Sequence, residues 1–383
     1  MFKMLVRCGI AALLAVLGSG ATAQDPKKPI YVGQVSPLTG PASSVGVPLT
    51  RGASLLVRKV NANGGINGST LKLLDKDDGF DPKRTVGAVT ELLADKERPI
   101  VALINVVGSS QNGDLVSQGL LASNDLNIVG AFTGSTSVRA LKSPHLYFVR
   151  PGVEDEANHI IAHFIALGID RVALVHPEDT FGRDALAKVT QALASRKLTL
   201  VGAGTYQPAT TDVKGAVATM LERKPQAIAI FATGAAAAKF ITSYREQGGG
   251  AMLTTSSSTS ADHLLKALPK ELSRGVGILQ VVPPTYKVAL PLVSEYLEAL
   301  RVHGDPGWAP SAYGLEGFLA AKVLIAAIRR VPGTPTRASV SSALASQGTL
   351  DLGGIRLDFS KARREGARYL EIGVLSSDGK LRN

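Results

Sequence analysis

Cysteine is almost absent from this chain, which contains one, Cys8. A single cysteine excludes an intramolecular disulfide and any metal site built from several thiolates. Cys8 also lies within a segment that we predict to be removed from the mature chain. We therefore expect a fold that is stabilised by its hydrophobic core, without disulfides or thiol chemistry.

Aromatic residues are also scarce, at 5% of the sequence, and basic residues are not concentrated anywhere. The net charge is +11, but no run of Lys and Arg is longer than two residues. Proteins that bind nucleic acids need basic patches, often combined with aromatic stacking surfaces. The sequence therefore argues against nucleic acid as a partner, and the lack of long apolar runs argues against a membrane-spanning helix.

The first 23 residues have the composition of an export signal. Lys3 and Arg7 precede an apolar stretch at residues 9–17, and Ala-Thr-Ala at residues 21–23 forms a cleavage site of the A-x-A type. The apolar stretch is too short to cross a bilayer. The sequence thus predicts a cleavable signal peptide at residues 1–23 and a mature protein in the periplasm.

The rest of the sequence alternates short apolar segments with amphipathic ones. In the first half, strands are predicted at residues 30–35, 71–75, 100–104 and 128–131, and helices at residues 49–60, 84–94 and from about Ser110. Later strands are predicted at residues 171–175, 199–203, 227–231, 276–282, 355–357 and 369–375, and helices at 154–167, 184–195, 213–223, 235–247, 291–303 and 311–330. This alternation predicts an α/β protein with two doubly wound parallel sheets, and 383 residues are enough for two lobes.

Two loops at adjacent strand ends are rich in hydroxyl groups. Ser109 and Ser110 follow the third predicted strand, and Phe132, Thr133 and Gly134 follow the fourth. Ligands of open parallel sheets bind at the carboxyl ends of the strands. Hydroxyls and free backbone N–H groups at these two ends would hold one carboxylate from two sides, although helix capping explains either loop alone equally well.

A third hydroxyl-rich loop is predicted in the second half of the chain. It contains Ser256 and lies near Thr233 and Gly234, at the ends of later strands. Phe181 either forms a wall of the same cleft or belongs to the core. We expect this group of residues to complete the binding site from the second half.

Motifs of nucleotide-binding and hydrolytic enzymes are missing. The sequence contains no P-loop, no complete GxGxxG and no GxSxG nucleophile elbow. His159 and His163 have helical spacing but no glutamate base between them, so they do not form a zinc-protease motif. We therefore expect no enzyme activity, no metal site and no cofactor, and we keep a secreted α/β hydrolase as the alternative.

Several further motifs occur in a fixed order along the chain. They are SPLTGP at residues 36–41, NANGGING at 61–68, DDGFDP at 77–82, VGSS at 107–110 and LDF at 357–359. In this order, the sequence resembles the periplasmic leucine/isoleucine/valine-type (type I) binding proteins, which are the substrate-binding components of ABC importers. The resemblance extends over essentially the whole chain after the signal peptide.

The resemblance implies two α/β lobes that are joined by three crossings of the chain and close over a ligand. Lobe 1 would contain residues 28–149 and 283–368, and lobe 2 would contain residues 150–282 and 369–383. The chain would capture a small solute between the lobes and deliver it to an ABC permease. We expect it to do so as a monomer and without chemical change of the solute.

The resemblance also implies roles for individual residues. In the amino-acid binders of this family, the loops matching Ser109, Ser110 and Thr133 hold the ligand carboxylate, and an acidic residue of lobe 2 holds the ammonium. The acidic position falls near Ser256, in a run that contains no carboxylate. A buried ammonium without a paired charge is strongly unfavourable. We therefore expect a small carboxylated solute, and an organic or aromatic acid rather than an amino acid.

Other residues leave open whether the solute is an organic acid or an amino acid. The aromatic position after the first strand falls on Val45, whereas Phe181 retains an aromatic ring. Asp262 or Glu316 could supply the missing negative charge from elsewhere in the chain. In that case the solute would be a branched-chain amino acid.

Overall fold

The structure is a computed structural model that describes residues 27–360 and 364–382. The first part of the chain forms a five-stranded sheet. Its strands are β1 (Lys27–Ser36), β2 (Ser69–Asp77), β3 (Ile100–Ile104), β4 (Ile128–Val129) and β5 (Leu146–Tyr147). The connecting helices are α1 (Ser43–Ala62), α2 (Pro82–Ala94), α3 (Ser109–Ser117) and α4 (Thr136–Ala140), with a short 3₁₀ turn at Ala122–Asn124. All strand pairs are parallel, in the order β2-β1-β3-β4-β5. The predicted signal peptide lies outside the described residues.

A second sheet begins after β5. Its elements are α5 (Val153–Ala166), β6 (Val172–Pro177), α6 (Thr180–Ala194), β7 (Gly202–Tyr206), α7 (Lys214–Arg223), β8 (Ala227–Ile230), α8 (Gly234–Glu246), β9 (Met252–Thr255), α9 (Ala261–Ala267), α10 (Lys270–Ser273) and β10 (Gly277–Gln280). The strands of this group are parallel to one another. Because helices connect them, both faces of the sheet are covered.

The chain then returns to the first sheet before it ends on the second. The returning elements are α11 (Pro291–His303), α12 (Ala312–Arg329), α13 (Arg337–Ala345), β11 (Thr349–Asp351) and β12 (Arg356–Asp358), and the last two strands are β13 (Glu371–Leu375) and β14 (Leu381–Arg382). The second sheet has the order β14-β13-β10-β9-β8-β6-β7. The sequence did not predict that the two final strands are antiparallel to their neighbours. β13 runs antiparallel to β10 because the chain re-enters this sheet from lobe 1, and a tight turn then pairs β14 with β13.

Two lobes result from this path. Lobe 1 is the part built on the five-stranded sheet, and lobe 2 is the part built on the seven-stranded sheet. Helices α11 to α13 belong to lobe 1, because Tyr296, Phe318 and Val340 share one buried cluster with Val32 and Ile104. The chain crosses between the lobes after β5, after β10 and after β12. The predicted fold of two doubly wound lobes with a three-segment hinge is thus confirmed, whereas the residue boundaries of the lobes stay a prediction.

Helix α12 packs so closely on α1 that two crossing points have no room for a side chain. A Cβ atom on Gly52 would lie 1.9 Å from the carbonyl oxygen of Gly314, and one on Gly317 would lie 2.0 Å from that of Leu49. Such distances are far below van der Waals contact, so both positions require glycine. None of the helices in the described parts of the chain, α12 included, is long and apolar enough to cross a membrane.

Gly52→Ala is expected to lower the free energy of unfolding by about 1–3 kcal/mol, because the added methyl group forces α1 and α12 apart. The matched control is Gly87 in α2, where a Cβ atom would meet nothing within 4 Å. Gly87→Ala should be neutral or stabilise by up to about 1 kcal/mol, since alanine is the better helix former. Urea unfolding of both variants measures the difference. Equal stability of the two variants would contradict the close packing.

Candidate ligand-binding site

A cavity lies between the two lobes, at the carboxyl ends of their strands. Lobe 1 and the first crossing contribute Ala42, Val45, Phe80, Val107, Gly108, Ser109, Phe132, Thr133, Gly134 and Arg150. Lobe 2 contributes Pro177, Asp179, Phe181, Tyr206, Pro208, Ala209, Thr233 and Ser258. The space not filled by atoms, counted together with the open solvent at the mouth, is about 630 Å³. Its position is the one at which open parallel sheets bind ligands.

Two hydroxyl groups of lobe 1 meet in this cavity. Ser109 begins α3 just after β3, Thr133 follows β4, and their hydroxyl oxygens are 2.7 Å apart. The backbone holds the two loops together, because the N–H of Gly108 donates to the carbonyl of Phe132 at 3.1 Å. The Thr133 hydroxyl also accepts a hydrogen bond from the N–H of Ser135 at 3.0 Å. Both hydroxyls are therefore held in place; one donates to the other, and a carboxylate that accepts from both replaces this mutual hydrogen bond.

Apolar side chains form most of the remaining walls. They are Val45, Phe80, Phe132, Phe181 and Tyr206. Phe132 packs edge-on against Tyr313 of α12, with ring centres 5.7 Å apart, and Phe181 packs on Phe231 at 6.1 Å. These contacts fix the rings from behind. The walls consequently suit a solute whose body is apolar or aromatic.

The structure brings together most of the residues that the sequence predicted for the site. Those that line the cavity are Val45, Ser109, Phe132, Thr133, Gly134, Phe181 and Thr233. Ser110 does not line it, and its hydroxyl lies 3.3 Å from that of Thr180 in lobe 2. Gly234 faces elsewhere too, since a Cβ atom there would lie 2.6 Å from the ring of His263.

Ser256 was predicted to line the site, but it does not line the cavity. Its N–H continues the ladder of β9 and donates to the carbonyl of Ile230 at 2.8 Å, and the whole residue is buried. Its hydroxyl accepts from the N–H of Ser258, 3.4 Å away. Ser258 is the residue of this run that lines the cavity. The hydrogen bonds of β9 extend to Ser256, and the loop turns only after it. This places Ser258 at the surface of the cleft.

The two acids that were considered for an ammonium group do not line the cavity. Asp262 accepts a hydrogen bond from the N–H of Ala312 at the start of α12, at 3.0 Å. Glu316 is buried on α12 and lies 3.6 Å from Nε of Arg150. Neither carboxylate is therefore available to a ligand in this cavity.

Sequence analysis missed the two charged residues that do line the cavity, Arg150 and Asp179. Arg150 precedes a Pro-Gly pair at the first crossing, and no sequence pattern shows on which side its side chain lies. Asp179 caps α6 by accepting from the N–H of Gly182 at 2.9 Å. The pKa of Asp179 is raised, because burial outweighs this hydrogen bond, which lowers it. The sequence does indicate that Asp179 caps a helix, but this pattern does not show whether a capping residue also lines a cleft.

Hydrogen bonds across the cleft hold the lobes in contact. The carboxylate of Asp184 in α6 accepts from the N–H and the hydroxyl of Ser137 at 2.9 and 2.6 Å, and also from the hydroxyl of Ser135. Ser135 is the N-cap of α4 in lobe 1. Asp262 makes the corresponding contact to α12 at another point of the lobe interface. The structure therefore represents a form in which the lobes are closed.

Comparison with known proteins agrees with this architecture. A family model described as periplasmic binding protein matches residues 29–380. The crystal structure of a substrate-binding periplasmic protein from Ralstonia solanacearum is similar, with 33% identity and a TM-score of 0.88 over 92% of this chain and 99% of that one. An amino acid binding protein of Pseudomonas aeruginosa is 31% identical over 195 residues, which is half of this chain and half of that protein. Leu/Ile/Val-binding protein homolog 3 of Brucella melitensis is 22% identical over 318 residues, or 82% of this chain and 83% of that protein. The chain therefore belongs to the periplasmic binding protein family, in the leucine/isoleucine/valine-type group that its motifs resemble.

Proposed function

We propose that this protein is the substrate-binding component of an ABC importer and that its solute is a small, mostly apolar carboxylate. The observation that carries the proposal is the facing hydroxyl pair of Ser109 and Thr133 in an otherwise mostly apolar cavity. Hydroxyl donors to an ionised group contribute about 1.5–3 kcal/mol each. The protein passes the solute to a membrane permease unchanged, and it acts as a monomer.

An amino acid is the second candidate, because two relatives are named for amino acids. Its ammonium group would need a carboxylate within the cavity. Among the described residues, Asp179 is the one carboxylate that lines the cavity, and it is already engaged as the cap of α6. Asp262 and Glu316 have other partners. We therefore favour an aromatic or aliphatic acid without an α-ammonium group.

A hydrolase is the alternative that the cavity supports least. A nucleophilic serine needs a general base within hydrogen-bond reach of its hydroxyl. The hydroxyl of Ser109 contacts Thr133, and none of the described residues that line the cavity is a histidine, a cysteine or a lysine. We accordingly expect no turnover of carboxylate esters or amides by the pure protein.

A thermal-shift screen with matched pairs of compounds tests the proposed function. Phenylpropanoate and isocaproate, which lack the amino group of phenylalanine and leucine, are expected to raise the melting temperature, whereas the two amino acids are not. Binding to the folded state alone adds about 4 kcal/mol of stability at a ligand concentration of 1,000 times the Kd. Stabilisation by leucine or phenylalanine, without any effect of the matched acids, would favour the amino-acid candidate instead.

A further inference from the structure

Arg150 is a buried cation in the wall of the cleft. It lies at the first crossing between the lobes, and only 2% of its surface is exposed. Its Nη2 atom donates to the carbonyl oxygen and the hydroxyl of Ser257 in lobe 2. Its guanidinium carbon lies 3.9 Å from the centre of the Phe132 ring. Arg150 lines the same cavity as the hydroxyl pair of Ser109 and Thr133 that we assign to the ligand carboxylate.

The guanidinium group has more hydrogen-bond donors than partners. Its Nε atom lies 3.6 Å from Oε1 of Glu316, and neither atom makes a hydrogen bond. Nη1 makes no hydrogen bond among the described residues either, but unlike Nε it is not one of the fully buried atoms without a partner. Buried donors of a charged group are costly when no acceptor is present. An anion in the cleft would supply the missing acceptor.

Two buried carboxylates are linked to the same cation. Glu156 of α5 accepts from the N–H and the hydroxyl of Ser257, at 3.0 and 2.6 Å, and Ser257 in turn contacts Arg150. Glu316 of α12 lies on the Nε side. The pKa of Glu316 is raised, chiefly by burial; Arg150 lowers it and Glu156 raises it further. Any negative charge on Glu316 competes with an anionic ligand for Arg150 and repels that ligand.

From this arrangement we propose that Arg150 is the charge partner of the solute and makes the cleft select an ionised carboxylate over a neutral compound of the same shape. The proposal rests on the proposed function, and it extends that function from hydroxyl donors to a buried cation. Guanidinium is suited to this role because it stays charged at all relevant pH values and presents several donors to a carboxylate. Glu316 tunes the selectivity, since it weakens the attraction between Arg150 and an anion.

Calorimetry with phenylpropanoate and its primary amide tests the assignment, because the two compounds differ little except in charge. Wild-type protein should bind the acid at least about 100-fold more tightly than the amide. In Arg150→Met, the affinity for the acid should fall at least about 30-fold while that for the amide changes less than about threefold. An acid-over-amide preference that persists in Arg150→Met would overturn the proposal.

Glu316 supplies a second, independent variant. Glu316→Gln retains Arg150 and should bind the acid about threefold or more tightly, with the amide unaffected. Because Arg150→Met leaves Glu316 as an uncompensated buried charge, Arg150→Met/Glu316→Gln is measured beside it and should show the same loss of preference. An unchanged ratio of acid to amide affinity in Glu316→Gln would count against the proposal. If wild-type protein binds no acid at all, the proposed function fails; if it binds the acid and the variants keep the preference, only the role of Arg150 fails.

Discussion

The double variant Ser109→Ala/Thr133→Ala is expected to lose at least about 100-fold in affinity for a carboxylate. Each hydroxyl contributes about 1.5–3 kcal/mol to an ionised acceptor, and about 2.7 kcal/mol corresponds to a factor of 100. The two hydroxyl oxygens are 2.7 Å apart and form one hydrogen bond. The double variant removes both partners of this bond, so no hydroxyl is left unpaired. Calorimetry with phenylpropanoate measures the loss. Affinity equal to that of wild-type protein would place the ligand elsewhere.

The single variants distinguish a ligand contact from a structural one. Ser109→Ala should cost about tenfold in affinity with only a small loss of stability, because among the described residues its hydroxyl is hydrogen-bonded to Thr133 alone. Thr133→Ala should also lower the melting temperature, since the buried N–H of Ser135 then loses its acceptor. Thr133→Ser restores that acceptor and should restore both properties. Ser110→Ala is the comparison within the same loop, and its smaller effect should reflect only the contact to Thr180.

The regular parts of the fold could be predicted from the sequence because their signal is local. The segment at residues 100–104 is apolar throughout and forms the fully buried β3, and the predicted helix at residues 291–303 coincides with α11. Helix α13 and strand β5 were missed, because they are short and owe their structure to neighbours that are distant in sequence. The antiparallel pairing of β13 with β10 is likewise decided by the third crossing rather than by any local pattern.

The sequence could predict those parts of the site in which a hydroxyl residue directly follows a strand. Ser109 and Thr133, which line the cavity, were proposed in this way, because the ends of β3 and β4 can be predicted from apolar runs. Ser256 and Ser258 are chemically equal in the sequence, and only the last hydrogen bond of β9 decides which of them is buried. Arg150 gives no local signal at all, since its role depends on side chains more than 100 residues away, such as Ser257.

Asp184 joins the two lobes to each other through hydrogen bonds. Its carboxylate, on α6 of lobe 2, accepts hydrogen bonds from Ser135 and Ser137 at the start of α4 in lobe 1. These bonds exist only when the lobes are closed, and in an open form each group would be hydrated instead. Observed affinity is the intrinsic affinity reduced by the fraction of molecules in the binding-competent form. We therefore expect the Asp184 contact to contribute to ligand affinity without any contact to the ligand.

Asp184→Ala is expected to weaken binding of phenylpropanoate by about 30-fold, because loss of charge-assisted hydrogen bonds worth about 2 kcal/mol disfavours closure. Asp212→Ala removes the same charge from an exposed site in lobe 2 and should leave the affinity unchanged. X-ray scattering separates closure from binding: wild-type protein should have a smaller radius of gyration with ligand than without, and ligand-free Asp184→Ala should be at least as extended as ligand-free wild type. At saturating ligand the variant should still become compact, because Ser109, Thr133 and Arg150 are intact and their contacts to the ligand still stabilise the closed form. A variant with wild-type affinity would show that the contact between α6 and α4 has no part in closing the cleft.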